Sequence, residues 1–422
     1  MKNIQNTYDV IIIGGGPAGM MAAGRAAELG ANVLLLEKNA DLGRKLLITG
    51  GGRCNLMNFE PDTRRFLARF QDRQKFLFSP FSQFGVTQTL DFFNSLGLET
   101  KIEAEGRVFP TSDSSQSVLD VMISYMKKGR VKVKTKARVL EFIIQKKKII
   151  GVKVDVNGKI TDYYSKTFVL ATGGLSRPDT GSTGDGLNWL KSLGHNIPDT
   201  SPALVPIKTA EKWVEKLSGL SLTDVKLKIL TDNKKQAEAK GKLLFTHFGL
   251  SGPLVLNMSR LVGDLLKLSP VTLSIDFRPD TDDKSLDIEL INYLAQQPNR
   301  LIKNCLTGFM SPTLAPILID LAEVDGEKPV NLLKKPERLK IINLIKNFKL
   351  TATGLMGLDK AIVTRGGTDL TEIDLKTMQS RVSKNLYIVG DLLDIDRPSG
   401  GYSLQLCWTT GYVAGSWAAL QN

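Results

Sequence analysis

The opening of the chain constrains its fold more than any other feature. An apolar run, Tyr8 to Ile13, breaks at once into Gly14, Gly16 and Gly19 in the pattern G-x-G-x-x-G. A six-residue segment this apolar suits a strand buried on both faces of a parallel sheet. Met20 to Leu29, behind the glycines, has helix-forming composition. Gly14 permits the tight turn, Gly16 lets backbone approach a pyrophosphate, and Gly19 lets helix pack closely on strand. Free N–H groups at the helix start then face the phosphates, aided by the helix dipole. A second strand, Asn32 to Leu36, ends in Glu37, 23 residues after Gly14. An acid there accepts the hydroxyls of an adenosine ribose and repels a 2′-phosphate, which favours FAD or NAD over NADP. Lys38, next in line, joins the candidate cofactor residues. Glycines alone are weak evidence; strand, glycines, helix, strand and acid in that order are specific.

Gly43 to Asn55 reads GRKLLITGGGRCN. Three consecutive glycines between Arg44-Lys45 and Arg53 suggest a loop around an anion or a flat ring. Arg44, Lys45 and Arg53 are candidates to neutralise pyrophosphate or negative charge on a reduced flavin. The competing reading is a flexible loop with surface charge. Cys54 has no resolving partner nearby and reads as a structural thiol.

The remainder of the site is expected far along the chain. An apolar strand closing at Leu170 runs into Ala171-Thr172-Gly173-Gly174, and Asn385 to Val389 runs into Gly390-Asp391. Both suit a central sheet whose strand ends face a ligand. Asp391 is placed to accept a ribityl hydroxyl. Gly400-Gly401 precedes a helix-like stretch from Tyr402 to Leu420, whose first N–H groups suit the flavin N1–C2=O region. An NAD dehydrogenase completes its site within one doubly wound domain, so an interruption of roughly two hundred residues fits FAD better.

These stretches together resemble the BaiN-like family of bacterial flavoproteins, also called aminoacetone-oxidase-like NAD(P)/FAD-dependent oxidoreductases, within the glutathione-reductase-type FAD superfamily. The matching segments are IIIGGGPAGMMAA, LGRKLLITGGGRCNLMN, ATGGLSRPDTGSTGDGLNWLKSLGH, LLFTHFGLSGPLVLNMSR and LYIVGDLLDIDRPSGGYSLQLCWTTG. The resemblance implies that Gly14, Gly16, Gly19 and Glu37 bind the AMP half. It places Arg44, Lys45 and Asn55 on the flavin cavity and Thr172 and Gly173 beside the pyrophosphate. Val139 offers backbone to adenine, and Asp391, Gly400 and Gly401 form the ribityl and ring end; Tyr402, first in the helix-like stretch behind them, joins the candidate cofactor residues. The chain departs from the family in Asp391, where Glu is usual, and in Ser403, where Asn is usual.

The expected architecture is α/β: a Rossmann-like FAD-binding domain built from both ends of the chain, residues 1–194 and 350–422. A β-rich domain, 195–349, is inserted, with a helical part at about 280–348. The layout of this middle region follows from the resemblance, with Leu286 to Gln296 and Pro336 to Phe348 as its helices. No catalytic residue is assigned from the sequence: Lys45 and His247 are the candidates, and His247 in FTHFGLSG is read either as a packing residue or as a proton donor or substrate contact. His195 reads as a helix-end residue. Two histidines and three widely spaced cysteines argue against a metal site or a dithiol relay. Met1 to Asn6 lacks the pattern of an export signal, and no apolar run is long enough to span a membrane, so a cytoplasmic location is expected.

Lys and Arg exceed Asp and Glu by 56 to 43, a formal +13. Much of the excess lies in Lys127 to Lys148, where RVKVKTKARV alternates as a strand with one wet face. A solvated lysine face is favoured over a nucleic-acid footprint. The expected function is FAD-dependent hydride transfer through flavin N5 to or from a small organic substrate, with NAD(P)H a candidate transient donor. Direct oxidation by oxygen and reduction of an activated C=C bond are both open. The alternatives are a flavin-dependent nucleic-acid-modifying enzyme and a non-enzymatic flavoprotein redox or interaction module.

Overall fold

The computed structural model describes residues 6–421. Met1–Gln5, on which most of the N-terminal signal reading rests, lie outside the described residues. The chain divides into two compact units, Met1–Pro202 with Leu358–Asn422, and Ala203–Gly357.

The first unit is built on a nine-stranded sheet. Strand β1 (Thr7–Ile13) lies between β2 (Val33–Leu36) and the long strand Lys159–Leu170, parallel to both. The short strand Leu386–Ile388 adds parallel to the far side of the long strand, so the two ends of the chain share one sheet. Val10, Ile11, Ile12, Leu34 and Leu35 are fully buried. Each such side chain contributes about 1.5–3 kcal/mol by leaving water. Helix α1 (Pro17–Glu28) is covered by the C-terminal helix Tyr402–Leu420, which is apolar on every side because it is buried. Small residues make this contact. A Cβ on Gly411 would stand 2.4 Å from the Ala18 carbonyl oxygen, and one on Gly415 2.4 Å from that of Ala22.

The lysine-rich segment is two strands rather than the one its alternation suggests. Lys132–Lys134 joins β2 in parallel, whereas Ala137–Gln145 pairs antiparallel with Lys148–Val156. Between them Lys136 adopts φ 50°, the left-handed turn that redirects the chain. Lys159–Leu170 serves both arrangements. Its first half pairs antiparallel with Lys148–Val156 and its second half parallel with β1.

The second unit is a closed six-stranded antiparallel barrel in the order Ile207–Thr209, Gly249–Ser251, Lys234–Thr246, Ser221–Thr231, Val271–Asp276 and Phe348–Leu355. Closure removes the open edges that a free sheet would expose. Helices Asp283–Ala295, Ile302–Phe309, Leu314–Ala322 and Lys335–Lys346 are inserted between the last two strands. Barrel and helices share one core, in which Lys346 forms a buried ion pair with Asp276 at 2.8 Å. The Lys346 ammonium also donates to the carbonyls of Arg278 and Thr281, so all three of its hydrogens have acceptors.

Candidate cofactor site

Four parallel strands of the first unit stop on one line. Ile13 stands opposite both Leu36 and Leu170, and Leu170 stands opposite Ile388. The residues that follow, Glu37, Gly14, Ala171-Thr172-Gly173 and Val389-Gly390-Asp391, therefore form a row along one sheet edge. With strands about 4.8 Å apart, the row runs about 14 Å from the strand bearing Glu37 to the strand bearing Asp391. A cavity of about 1190 Å³, counting its mouth, follows this row.

Gly14 has φ +107°, and a Cβ there would lie 2.5 Å from the Ala171 carbonyl oxygen. Gly16 is the N-cap of α1 with no side-chain cap, and a Cβ on it would meet nothing within 4 Å. Its missing side chain opens the cavity to uncapped N–H groups, a cradle suited to phosphate. Gly19 lies outside the cavity wall. A Cβ on it would be 1.9 Å from the Gly14 oxygen, so its role is close packing. Glu37 is 8% exposed and accepts from Gly15 N at 2.7 Å and Asn39 N at 2.8 Å. A carboxylate has about four acceptor sites, so it retains capacity for ribose hydroxyls. Val139, Thr172 and Gly173 complete this part of the wall.

At the other end of the row, Lys45 Nζ donates to Ser176 Oγ at 2.7 Å and Asp391 Oδ2 at 3.1 Å. Behind Asp391 lies Arg397, whose side chain is 1% exposed. Its guanidinium donates to the Asp391 carboxylate, to Ser403 Oγ at 3.0 Å and to the Ile395 carbonyl at 2.7 Å. Burial opposes ionisation of Asp391, but Arg397 and then Lys45 outweigh it and hold the carboxyl down at about 2. Ser403, Leu404 and Cys407 of the C-terminal helix line the same end. Burial, with Asp391 adding to it, pushes the Cys407 thiol up to about 12.

These residues fit a dinucleotide: a phosphate cradle between a ribose acceptor and a polar, cation-bearing far end. Residues 8–417 match the HI0933-like protein Rossmann domain. The chain belongs to the HI0933-like family. This HI0933-like protein is 33% identical over 411 residues to 3-dehydro-bile acid delta(4,6)-reductase of Clostridium scindens, covering 97% of this chain and 98% of that one. It is 30% identical over 417 residues to ribosomal RNA dihydrouridine synthase of Escherichia coli, covering 98% of each. Among solved structures, 3-ketosteroid delta1-dehydrogenase of Sterolibacterium denitrificans shares the fold, with a TM-score of 0.56 and 14% identity over 99% of this chain and all of that one. The HI0933-like chain is a flavin-binding oxidoreductase with an FAD-binding Rossmann domain.

Lys38 and Arg44 of the HI0933-like protein also line the cavity. Lys38 pairs with Asp185 at 2.8 Å, and Arg44 with Asp41 at 3.3 Å. Other residues read from sequence do not themselves line this cavity. Asn55 donates to the Met57 carbonyl at 3.1 Å and accepts from Gly401 N at 3.2 Å. Gly400 and Gly401, with φ +104° and +103°, turn the chain into the C-terminal helix. The Tyr402 ring packs on Phe66 at 4.9 Å and Phe70 at 5.9 Å. Arg53 is held by Glu103 and Asp113 and lies over the Phe109 ring. Cys54 is fully buried, and burial pushes its thiol up to about 12.

His195 does more than end a helix. Its buried ring bridges Glu372 and Ser380, each at 2.8 Å. His247 is exposed in the barrel unit, edge-on to Phe248. Arg397, Ser176 and Asp185 carry no sequence signal of a site role, since each is brought in by side-chain contact, with Asp391, Lys45 and Lys38 respectively. Among the described residues, no cluster of three His, Cys, Asp or Glu could hold a metal ion, and no helix is long and apolar enough to cross a membrane.

Proposed function

We propose that this chain is an FAD-dependent reductase of carbon–carbon double bonds conjugated to a carbonyl group. The observation that carries this reading is that two relatives aligned along nearly the whole chain differ in substrate but share a reaction. A 3-keto steroid unsaturated at positions 4 and 6 is a conjugated dienone. Dihydrouridine is uridine whose C5=C6 bond, conjugated to the C4 carbonyl, has been saturated. Bound FAD would supply hydride-transfer chemistry at flavin N5.

The protein's own residues hold and polarise. Gly14, Gly16 and the start of α1 cradle the pyrophosphate, with Gly19 keeping the helix close and Thr172 and Gly173 alongside. Glu37 receives the adenosine ribose, Val139 presents backbone to adenine, and Lys38 and Arg44 close the mouth. Lys45 and Asp391 hold the ribityl end. Asn55, Gly400, Gly401 and Tyr402 fix the start of the C-terminal helix that backs this end. Lys45 and His247 are the candidate catalytic residues. NAD(P)H is the candidate electron donor, binding transiently because the sequence has one dinucleotide fingerprint.

The formal +13 favours an anionic substrate. A free carboxylated enone is the first reading. A uracil base within RNA is the second, favoured by the cations of Lys127–Lys148 and by the ribosomal RNA relative. The test is anaerobic. Enzyme reduced with NADH or NADPH is mixed with a steroid dienone acid, a uridine-containing ribosomal RNA fragment, or an unconjugated alkene, and return of the oxidised flavin band is followed. Reoxidation by a conjugated substrate and not by the alkene is expected. Failure of both conjugated substrates, combined with flavin reduction by an amine, would overturn the reductase reading in favour of an oxidase.

A further inference from the structure

Lys45 and Asp391 by themselves would make a neutral pair on the cavity wall. Arg397 changes this balance. Its buried guanidinium takes the second oxygen of Asp391, so the cluster of two cations and one carboxylate carries a net charge of +1. The ammonium of Lys45 has acceptors in Ser176 and Asp391 for two of its three hydrogens, and Lys45 lines the cavity. The C-terminal helix begins at the same place, with Gly401 as an N-cap that offers no side-chain acceptor. Its dipole adds positive potential where Ser403 and Cys407 meet the cavity. The Glu37 end of the row is different in kind, since the Glu37 carboxylate is held by backbone N–H groups and the nearby cations Lys38 and Arg44 are each paired with a carboxylate of their own, Asp185 and Asp41.

We infer that the Lys45–Asp391–Arg397 cluster sets the reduction potential of the bound flavin, with Arg397 as a positioning residue that leaves the Lys45 charge uncompensated at the cavity wall. This rests on the cofactor placement proposed above. With the AMP half fixed at Glu37, the flavin half of a dinucleotide laid along the row lies at the Asp391 end. Two electrons and one proton entering the flavin add one negative charge, centred on N1–C2=O. A buried net positive charge beside it binds the reduced form more tightly than the oxidised form, because little solvent screens the interaction. The potential rises by the same factor, about 30 mV for each tenfold in that preference.

The test uses full-length protein loaded with FAD, with dithionite as reductant and reference dyes to report the midpoint potential. Lys45→Met and Arg397→Met each lower the potential by at least about 30 mV, a tenfold loss of preference for reduced FAD. Asp391→Asn removes the negative member, keeps an acceptor oxygen and raises the potential. Arg397→Lys restores most of the parent value. Opposite signs from neighbouring substitutions are what a structural role would not produce. If Arg397→Met does not fold, Lys45→Met and Asp391→Asn still decide the matter. Stoichiometrically loaded variants within about 9 mV of the parent, a twofold change, or all shifted in one direction, would overturn the inference. A parent protein that binds no FAD would overturn the cofactor placement itself.

Discussion

Glu37→Gln separates what the carboxylate does for the fold from what it does for a ligand. Each carboxylate oxygen accepts one backbone N–H, from Gly15 at 2.7 Å and from Asn39 at 2.8 Å. A glutamine amide has one oxygen and one NH2 group, so in either orientation one of these donors faces another donor. The loss is one hydrogen bond to a charged acceptor, about 1.5–3 kcal/mol, and the surviving bond falls from charged to neutral, roughly half its strength. Allowing for relaxation of the Asn39 loop, cofactor-free protein should lose about 2–3 kcal/mol of the roughly 5–15 typical of a folded domain. Urea unfolding of the cofactor-free protein measures this. Trp189, Trp408 and Trp417 lie in the unit bearing Glu37 and Trp213 in the other, so tryptophan emission reports mainly the relevant unit. A cofactor-free Glu37→Gln protein within about 0.5 kcal/mol of the parent, the noise of surface substitutions, would refute the claim that the carboxylate braces the glycine turn.

Asp391 gives a pH prediction. Its folded carboxyl is held at about 2 against an ordinary 3.8, so its stabilisation is complete above about pH 4 and is lost as pH falls through about 2. The stability gap between parent and Asp391→Asn should therefore narrow by about 2 kcal/mol from pH 6 to pH 2, followed by denaturant titration at each pH. In the barrel unit, Lys346→Met strands the Asp276 carboxylate, 6% exposed, and should cost about 3–5 kcal/mol. Adding Asp276→Asn should recover part of that loss in the same unfolding assay. Gly415→Ala drives a methyl towards the Ala22 carbonyl oxygen and should cost about 1–3 kcal/mol, seen as a lower melting temperature, while Gly354→Ala, whose Cβ would meet nothing within 4 Å, serves as the uncrowded comparison.

The sequence made the local part of this site readable. Tyr8 to Glu37 contains strand, turn, helix and acid within thirty residues, and each step has its own residue signature. Asp391 could be placed because it follows an apolar strand. Arg397 could not, because nothing in DIDRPSGG marks a guanidinium that folds back on a carboxylate six residues earlier. Its position at a helix start points Tyr402 towards the flavin, but its ring packs in the aromatic cluster of Phe66 and Phe70. Arg53 shares a basic, glycine-rich loop with Lys45, yet Glu103 and Asp113 come from distant residues to hold it. Helices Ile302–Phe309 and Leu314–Ala322 escaped because they are short and one of them is apolar on nearly every side. In each case tertiary partners decided the outcome, and periodicity carries no record of them.

The long strand Lys159–Leu170 waits for a neighbour. It meets β1 soon after both have been made, but Leu386–Ile388 is translated more than two hundred residues later. Until then the Phe168–Val169–Leu170 edge has backbone groups without partners, and the wall containing Asp391 and Ser403 has not left the ribosome. Capture of the cofactor then belongs to the closing moments of biogenesis, when the last helix seats against the first.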